Sequence, residues 1–150
     1  MFNYLIKIEY EGTNFVGWQS QKNGKSIQDS IEKALKKVLG SKIKIIGAGR
    51  TDKGVHAYGQ SANFFCAKEI KDKYKFLSSI NFFLRKNLIS VVNLTSKKLN
   101  FHARHNVKKK IYKYIILNRF TSSPLHQNRS WVIKKKLNFN NMKKVIKYFL

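Results

Sequence analysis

The order in which apolar periodicity changes between residues 4 and 94 constrains this chain more than any other feature. Tyr4, Ile6, Ile8 and Tyr10 alternate with Leu5, Lys7 and Glu9, the period-two pattern of a half-buried strand. Ile27, Ile31, Ala34, Leu35 and Val38 then recur at helical spacing, opened by a capping box of Ser26 and Asp29 and closed by Gly40. Ile43, Ile45 and Ile46 predict a short strand. Residues 60–66 predict another, with Ala62, Phe64 and Cys66 on one face. Leu77, Ile80, Phe83 and Leu84 predict a second helix, and residues 89–94 a fourth strand. The result is an α+β domain of βαββαβ order, a ferredoxin-like antiparallel sheet with both helices on one face. Its other face is left for a ligand or a second domain, and residues 1–104 suffice to build it.

Residues 105–150 predict the beginning of a second, similar domain that is truncated. Residues 111–117 have the pattern of a strand, and 131–133 of a shorter one beyond the only proline, Pro124. Met142, Val145, Ile146 and Phe149 recur at helical spacing, yet the pattern runs to Leu150 without a cap. So short a segment cannot bury a core of its own. It packs on the first domain, pairs with another chain or belongs to a longer protein. Weak turnover by these residues alone and an uncovered apolar patch prone to self-association are the corresponding expectations.

Charge narrows the partner. With 31 Lys and Arg against 7 Asp and Glu, a net charge of +24 and 13% aromatic residues, the composition suits a protein that neutralises phosphates and stacks on bases. The excess is mostly lysine, and Asn and Ile are abundant too, so AT-rich coding drift is a competing source of the same charge. The single Cys66 excludes a disulfide framework and a thiolate zinc site. No apolar run approaches the roughly 18 residues of a membrane span, and no signal-peptide pattern opens the chain. A cytoplasmic protein without membrane contact is expected.

Only three aspartates occur: Asp29, Asp52 and Asp72. Asp52 stands in Gly49-Arg50-Thr51-Asp52-Lys53-Gly54-Val55-His56-Ala57-Tyr58, between cations and before a glycine. A carboxylate so placed in so basic a chain reads as a working group kept ionised by Arg50 and Lys53. An Asx turn before Gly54 accounts for the same residues. Familiar cofactor motifs fail. Gly24-Lys25-Ser26 lacks the earlier glycine of a phosphate loop, where Gln19 stands, and Gly47-Ala48-Gly49 meets Asp52 where a dinucleotide fingerprint needs its third glycine. His56, His102, His105 and His126 form no zinc-binding spacing. Neither a metal nor another cofactor is expected.

Five motifs in order carry a specific resemblance. They are Tyr10-Glu11-Gly12-Thr13-Asn14-Phe15-Val16-Gly17-Trp18-Gln19-Ser20-Gln21, Ser26-Ile27-Gln28, residues 47–60 around Asp52, Phe101-His102-Ala103-Arg104, and Lys110-Ile111-Tyr112-Lys113-Tyr114-Ile115. Together they resemble the TruA family of tRNA pseudouridine synthases over residues 1 to about 118, and the likeness fades beyond Pro124. The resemblance implies a longer protein, homodimeric in its full-length form, that isomerises uridine to pseudouridine at positions 38, 39 and 40 of the tRNA anticodon stem-loop after extruding the base. It implies Asp52 as catalytic nucleophile or base and no cofactor. Arg50 would fill the vacated stack or clamp a phosphate while pairing with Asp52, and Tyr112 would stack on the uracil. Lys53, Arg104, Lys108, Lys109 and Lys110 are the expected RNA contacts, Lys53 standing where the family pattern has a small residue. Plainer roles remain beside these: Tyr112 and Tyr114 as core, the glycines as turn formers, the lysines as solvated surface. Two other functions fit parts of the chain. One is a non-catalytic basic RNA-binding module presenting Phe64, Phe65, Tyr112 and Tyr114, and the other a structural basic protein.

Overall fold

The strand that alternates most strictly is the one around which the first unit is built. In the computed structural model, which describes residues 1–149, Phe2–Tyr10 forms β1 and points Tyr4, Ile6, Ile8 and Tyr10 into the core. Antiparallel β3, Ala57–Cys66, and antiparallel β4, Ile89–Lys97, flank it, and the short β2, Ile45–Gly47, pairs with β3. The spatial order β2-β3-β1-β4 is that of a ferredoxin-like βαββαβ sheet, as the periodicity predicts.

Helix α1, Ile27–Leu39, begins and ends where local chemistry demands. The Ser26 hydroxyl oxygen accepts from the Asp29 N–H at 3.0 Å, the N-cap bond, and the hydroxyl donates to the Asp29 carboxylate at 2.7 Å in place of the backbone return of a full capping box. Gly40 closes it in the left-handed region at φ 74°, its N–H donating to the Lys36 carbonyl. Ile27, Ile31, Ala34 and Leu35 are buried as expected. Helix α2, Lys73–Leu84, starts earlier than its apolar spacing suggests because Asp72 caps it through the Lys75 N–H. Its inner face is Phe76, Ile80 and Leu84; Phe83, predicted inward, is 37% exposed and lies under the Lys37 ammonium. A 3₁₀ turn, Arg85–Asn87, leads into β4. The Asn81 amide brackets Val91, accepting from its N–H at 2.8 Å and donating to its carbonyl at 3.0 Å where β4 shifts register against β1.

The chain divides into two compact units, residues 1–110 and 111–150. The second differs from its sequence pattern. Only Ile116–Leu117, β5, is strand, paired in parallel with β6, Trp131–Val132. A strand exists by its ladder, and with a partner two residues long, residues 111–115 have no ladder to join. The Asn118 amide ties this unit together, donating to the Ile133 and Lys135 carbonyls and accepting from the Leu137 N–H. Helix α3, Phe139–Ile146, is capped by Asn138 and ends before Leu150, which lies outside the described residues. No described residue beyond Ala103 is buried, so the second unit has no core of its own.

Candidate active site

Glycines decide how close two loops of the first unit approach. Gly12 sits so tightly that a Cβ there would stand 2.0 Å from the Val55 carbonyl oxygen, and one at Gly17 would stand 2.6 Å from that of Thr51. Gly17 also has φ 119°, a conformation glycine alone adopts without strain. Residues 11–18 are thereby pressed against residues 51–55. Hydrogen bonds lock the pair: Trp18 N–H donates to the Thr51 carbonyl at 3.0 Å, the Tyr10 and Thr51 hydroxyls meet at 2.8 Å, and Gly12 N–H donates to His56 Nδ1 at 3.0 Å. Glu11 Oε1 also approaches His56 Nδ1, at 3.3 Å. Upstream, Gln60 Nε2 donates to the Gly49 carbonyl at 2.6 Å.

The loop so held presents Asp52 exposed at its tip. The Val55 N–H donates to the Asp52 main-chain carbonyl at 3.2 Å and Gly54 turns the chain at φ 79°. The turn is therefore made by backbone, and no Asx hydrogen bond ties down the carboxylate. Among the described residues no hydrogen bond or ion pair involves the Asp52 side chain, so the expected pairing with Arg50 is not formed. Arg50 instead lines a pocket of about 340 Å³ with Trp18, Gln28, His102, Arg104 and His105. Asp52 has its acceptor capacity free for another group. Burial, opposed in part by the Thr51 hydrogen bond, raises the Tyr10 phenol above its usual value, so it is a neutral support for the loop.

The predicted contacts separate into two sets. Arg50 and Arg104 line the same pocket. Lys110 also reaches the Asp52 loop, since a Cβ on Gly49 would lie 3.1 Å from its Nζ. Lys53, Lys108 and Lys109 are exposed. Tyr112, in the second unit, is 72% exposed, and Tyr114 94%, so neither is core. Phe64 is fully buried between Tyr4 and Phe76 and cannot offer its ring to a base, which removes one of the four rings named for the binding-module alternative. Sequence reasoning missed Tyr10, Thr51, Asn3 and Asn63, whose roles arise only where strands meet loops. No group of three or more His, Cys, Asp or Glu residues among the described residues is arranged to hold a metal ion, and no helix is long and apolar enough to cross a membrane.

A ferredoxin-like sheet thus carries, on a braced loop, a carboxylate with no partner among the described residues, next to a pocket lined by Arg50 and Arg104. The sequence profile of the tRNA pseudouridine synthase family matches residues 6–106, and the chain belongs to that family. It is 53% identical over its whole length to a tRNA pseudouridine synthase A of Pelagibacter ubique, 43% to one of Thermoanaerobacter sp., and 41% over 97% of its length to one of Ehrlichia ruminantium. The chain spans about three fifths of these relatives, 61%, 61% and 59% of their lengths.

Proposed function

We propose that this chain supplies the aspartate-bearing part of a tRNA pseudouridine synthase that converts uridine to pseudouridine at positions 38, 39 and 40 of the anticodon stem-loop, with Asp52 as the catalytic nucleophile or base. The observation that carries this is the Asp52 carboxylate, exposed and without a partner among the described residues, on a loop fixed from both sides. The reaction breaks the bond from N1 to C1′ and forms one from C5 to C1′. The proton leaving C5 goes to water and N1 gains one, so no redox partner is needed. An uncommitted carboxylate suits either role open to it, attack on ribose or base, or removal of a sugar proton. The base must first leave its stack at a cost of a few kcal/mol. Arg50, released from Asp52, is available to the RNA. Tyr112 is assigned to the uracil face. Lys53, Arg104, Lys108, Lys109 and Lys110 are assigned to phosphates. The working protein is a cytoplasmic homodimer in this proposal, and residues 1–104 and 105–150 belong to successive catalytic domains.

Replacing Asp52 with Asn tests the assignment. The amide keeps shape but neither attacks nor accepts the proton, so release of tritium from tRNA labelled at uridine C5 should fall by at least about a thousandfold while tRNA affinity stays within a few-fold. Turnover near the wild-type rate would refute it.

A further inference from the structure

Two buried amides are devoted to a single turn for which the uridine chemistry has no stated use. Asn3 of β1 and Asn63 of β3 are 2% and 0% exposed and joined by Asn63 Nδ2 donating to Asn3 Oδ1 at 3.0 Å. Asn3 Nδ2 also donates to the carbonyls of Lys98 and Phe101, each at 2.9 Å, and Asn63 Oδ1 accepts from the Ala103 N–H at 2.9 Å. Burying amides is costly unless they are bonded, and here the bonds go to the main chain of residues 98–103. The Asn106 side chain accepts from the His102 N–H at 2.8 Å and closes the turn. The half-buried His102 and the exposed Arg104 and His105 are thus carried on a turn bonded to the sheet.

These three residues line one pocket together with Arg50. Trp18 and Gln28 complete the wall used here, and no carboxylate lines it. Glu32, which Gln28 touches, is committed to Lys44 and to the Ile45 N–H. The His102 and His105 rings lie against one another, tilted by 37° with centroids 4.3 Å apart. The buried side-chain atom lacking a hydrogen-bond partner among the described residues, His102 Nδ1, belongs to the same turn. Two guanidiniums lining one pocket whose wall has no carboxylate are stabilised by an arriving anion, and their planar forks match phosphate oxygens.

We propose that this pocket is a phosphate subsite, in which Arg50 and Arg104 clamp one phosphodiester of the substrate RNA and His105, set against the His102 ring, donates a further N–H. Arg50, Arg104 and His105 are exposed, so the pocket opens to solvent and lets a continuous chain enter and leave. That the phosphate belongs to RNA rests on the synthase proposal.

The test is a cycle between protein and RNA. Anticodon stem-loop RNAs, each with one phosphate replaced by a neutral methylphosphonate, are titrated with the full chain as wild type, Arg104→Gln and His105→Gln. One replacement should weaken wild-type binding about tenfold, and the same replacement should cost Arg104→Gln less than about twofold, because the partner is already gone. His105→Gln should show the same non-additivity in smaller degree. Arg104→Lys, which keeps charge and loses the fork, should remain sensitive to the same phosphate. Intact RNA binding with additive effects everywhere would overturn the subsite and leave the synthase proposal standing. Perturbation of the His102 and His105 imidazole resonances by inorganic phosphate, together with additive RNA effects, would mark a free-anion site and overturn the assignment to RNA. A folded chain that binds none of these RNAs would overturn both.

Discussion

Gly17 shows how much of the site depends on an atom that is missing. Its φ of 119° and the 2.6 Å that would separate a Cβ from the Thr51 oxygen leave no room for alanine. Gly17→Ala is expected to cost about 1–3 kcal/mol of stability and to lower turnover more than affinity, because the displaced residue lies next to Asp52. Chemical denaturation and tritium release measure the two effects. Tyr10 makes a prediction in pH. Burial raises its phenol in the folded chain, so above pH 10 the unfolded chain loses the proton first and the folded state holds more protons. Stability from this group is complete below about pH 10 and is lost as pH rises through the folded value. Thermal midpoints measured between about pH 9 and 11 should decline more steeply for wild type than for Tyr10→Phe, which also loses the hydroxyl contact to Thr51.

Among the elements, α1 is closest to the active loops at its start, since the Ile27 N–H donates to the Gly17 carbonyl and the Gln28 N–H to that of Trp18. Its first turn therefore closes the base of residues 11–18 as well as starting a helix. Ser26 is fully buried and serves both functions. Ser26→Ala leaves the Asp29 N–H without its cap and should cost about 1 kcal/mol, up to about 2 if the Asp29 carboxylate is left short of a donor. Calorimetric midpoints against wild type check this. The second unit illustrates the opposite situation. Residues 111–115 alternate like a strand, but alternation states only which side chains share a face and does not supply a neighbour to bond with. With β6 two residues long, the ladder ends where the partner ends.

At the scale of the whole molecule, charge governs association and contributes little to the fold. The net charge of +24 favours any polyanion, so affinity for tRNA should fall steeply and linearly on logarithmic axes as salt rises. Replacing Lys108, Lys109 and Lys110 together by Ala should weaken binding to all RNAs alike and flatten that slope by up to about 3, roughly one per phosphate released. Fluorescence anisotropy over a salt series measures it. A slope unchanged by the triple variant would assign these lysines to solvated surface.

Local chemistry made the first unit legible in sequence: Ser26 and Gly40 bound a helix because caps satisfy backbone groups within a few residues, and β1 shows its inner face because side chains alternate. The Asp52 loop was visible for a related reason, a lone carboxylate among cations in a string of turn residues. Tertiary structure alone decided which helical face turned inward, and so placed Phe76 in the core and Phe83 under a lysine. It also decided that Arg50 lines one pocket with Arg104, residues 54 positions apart in the chain. Asn3 and Asn63 look in sequence like solvent-facing strand positions, yet they bond a turn that arrives about forty residues or more later. Interactions within one or two turns of chain leave a period that can be read from the residues, whereas a contact between distant segments leaves none until the sheet has brought them together.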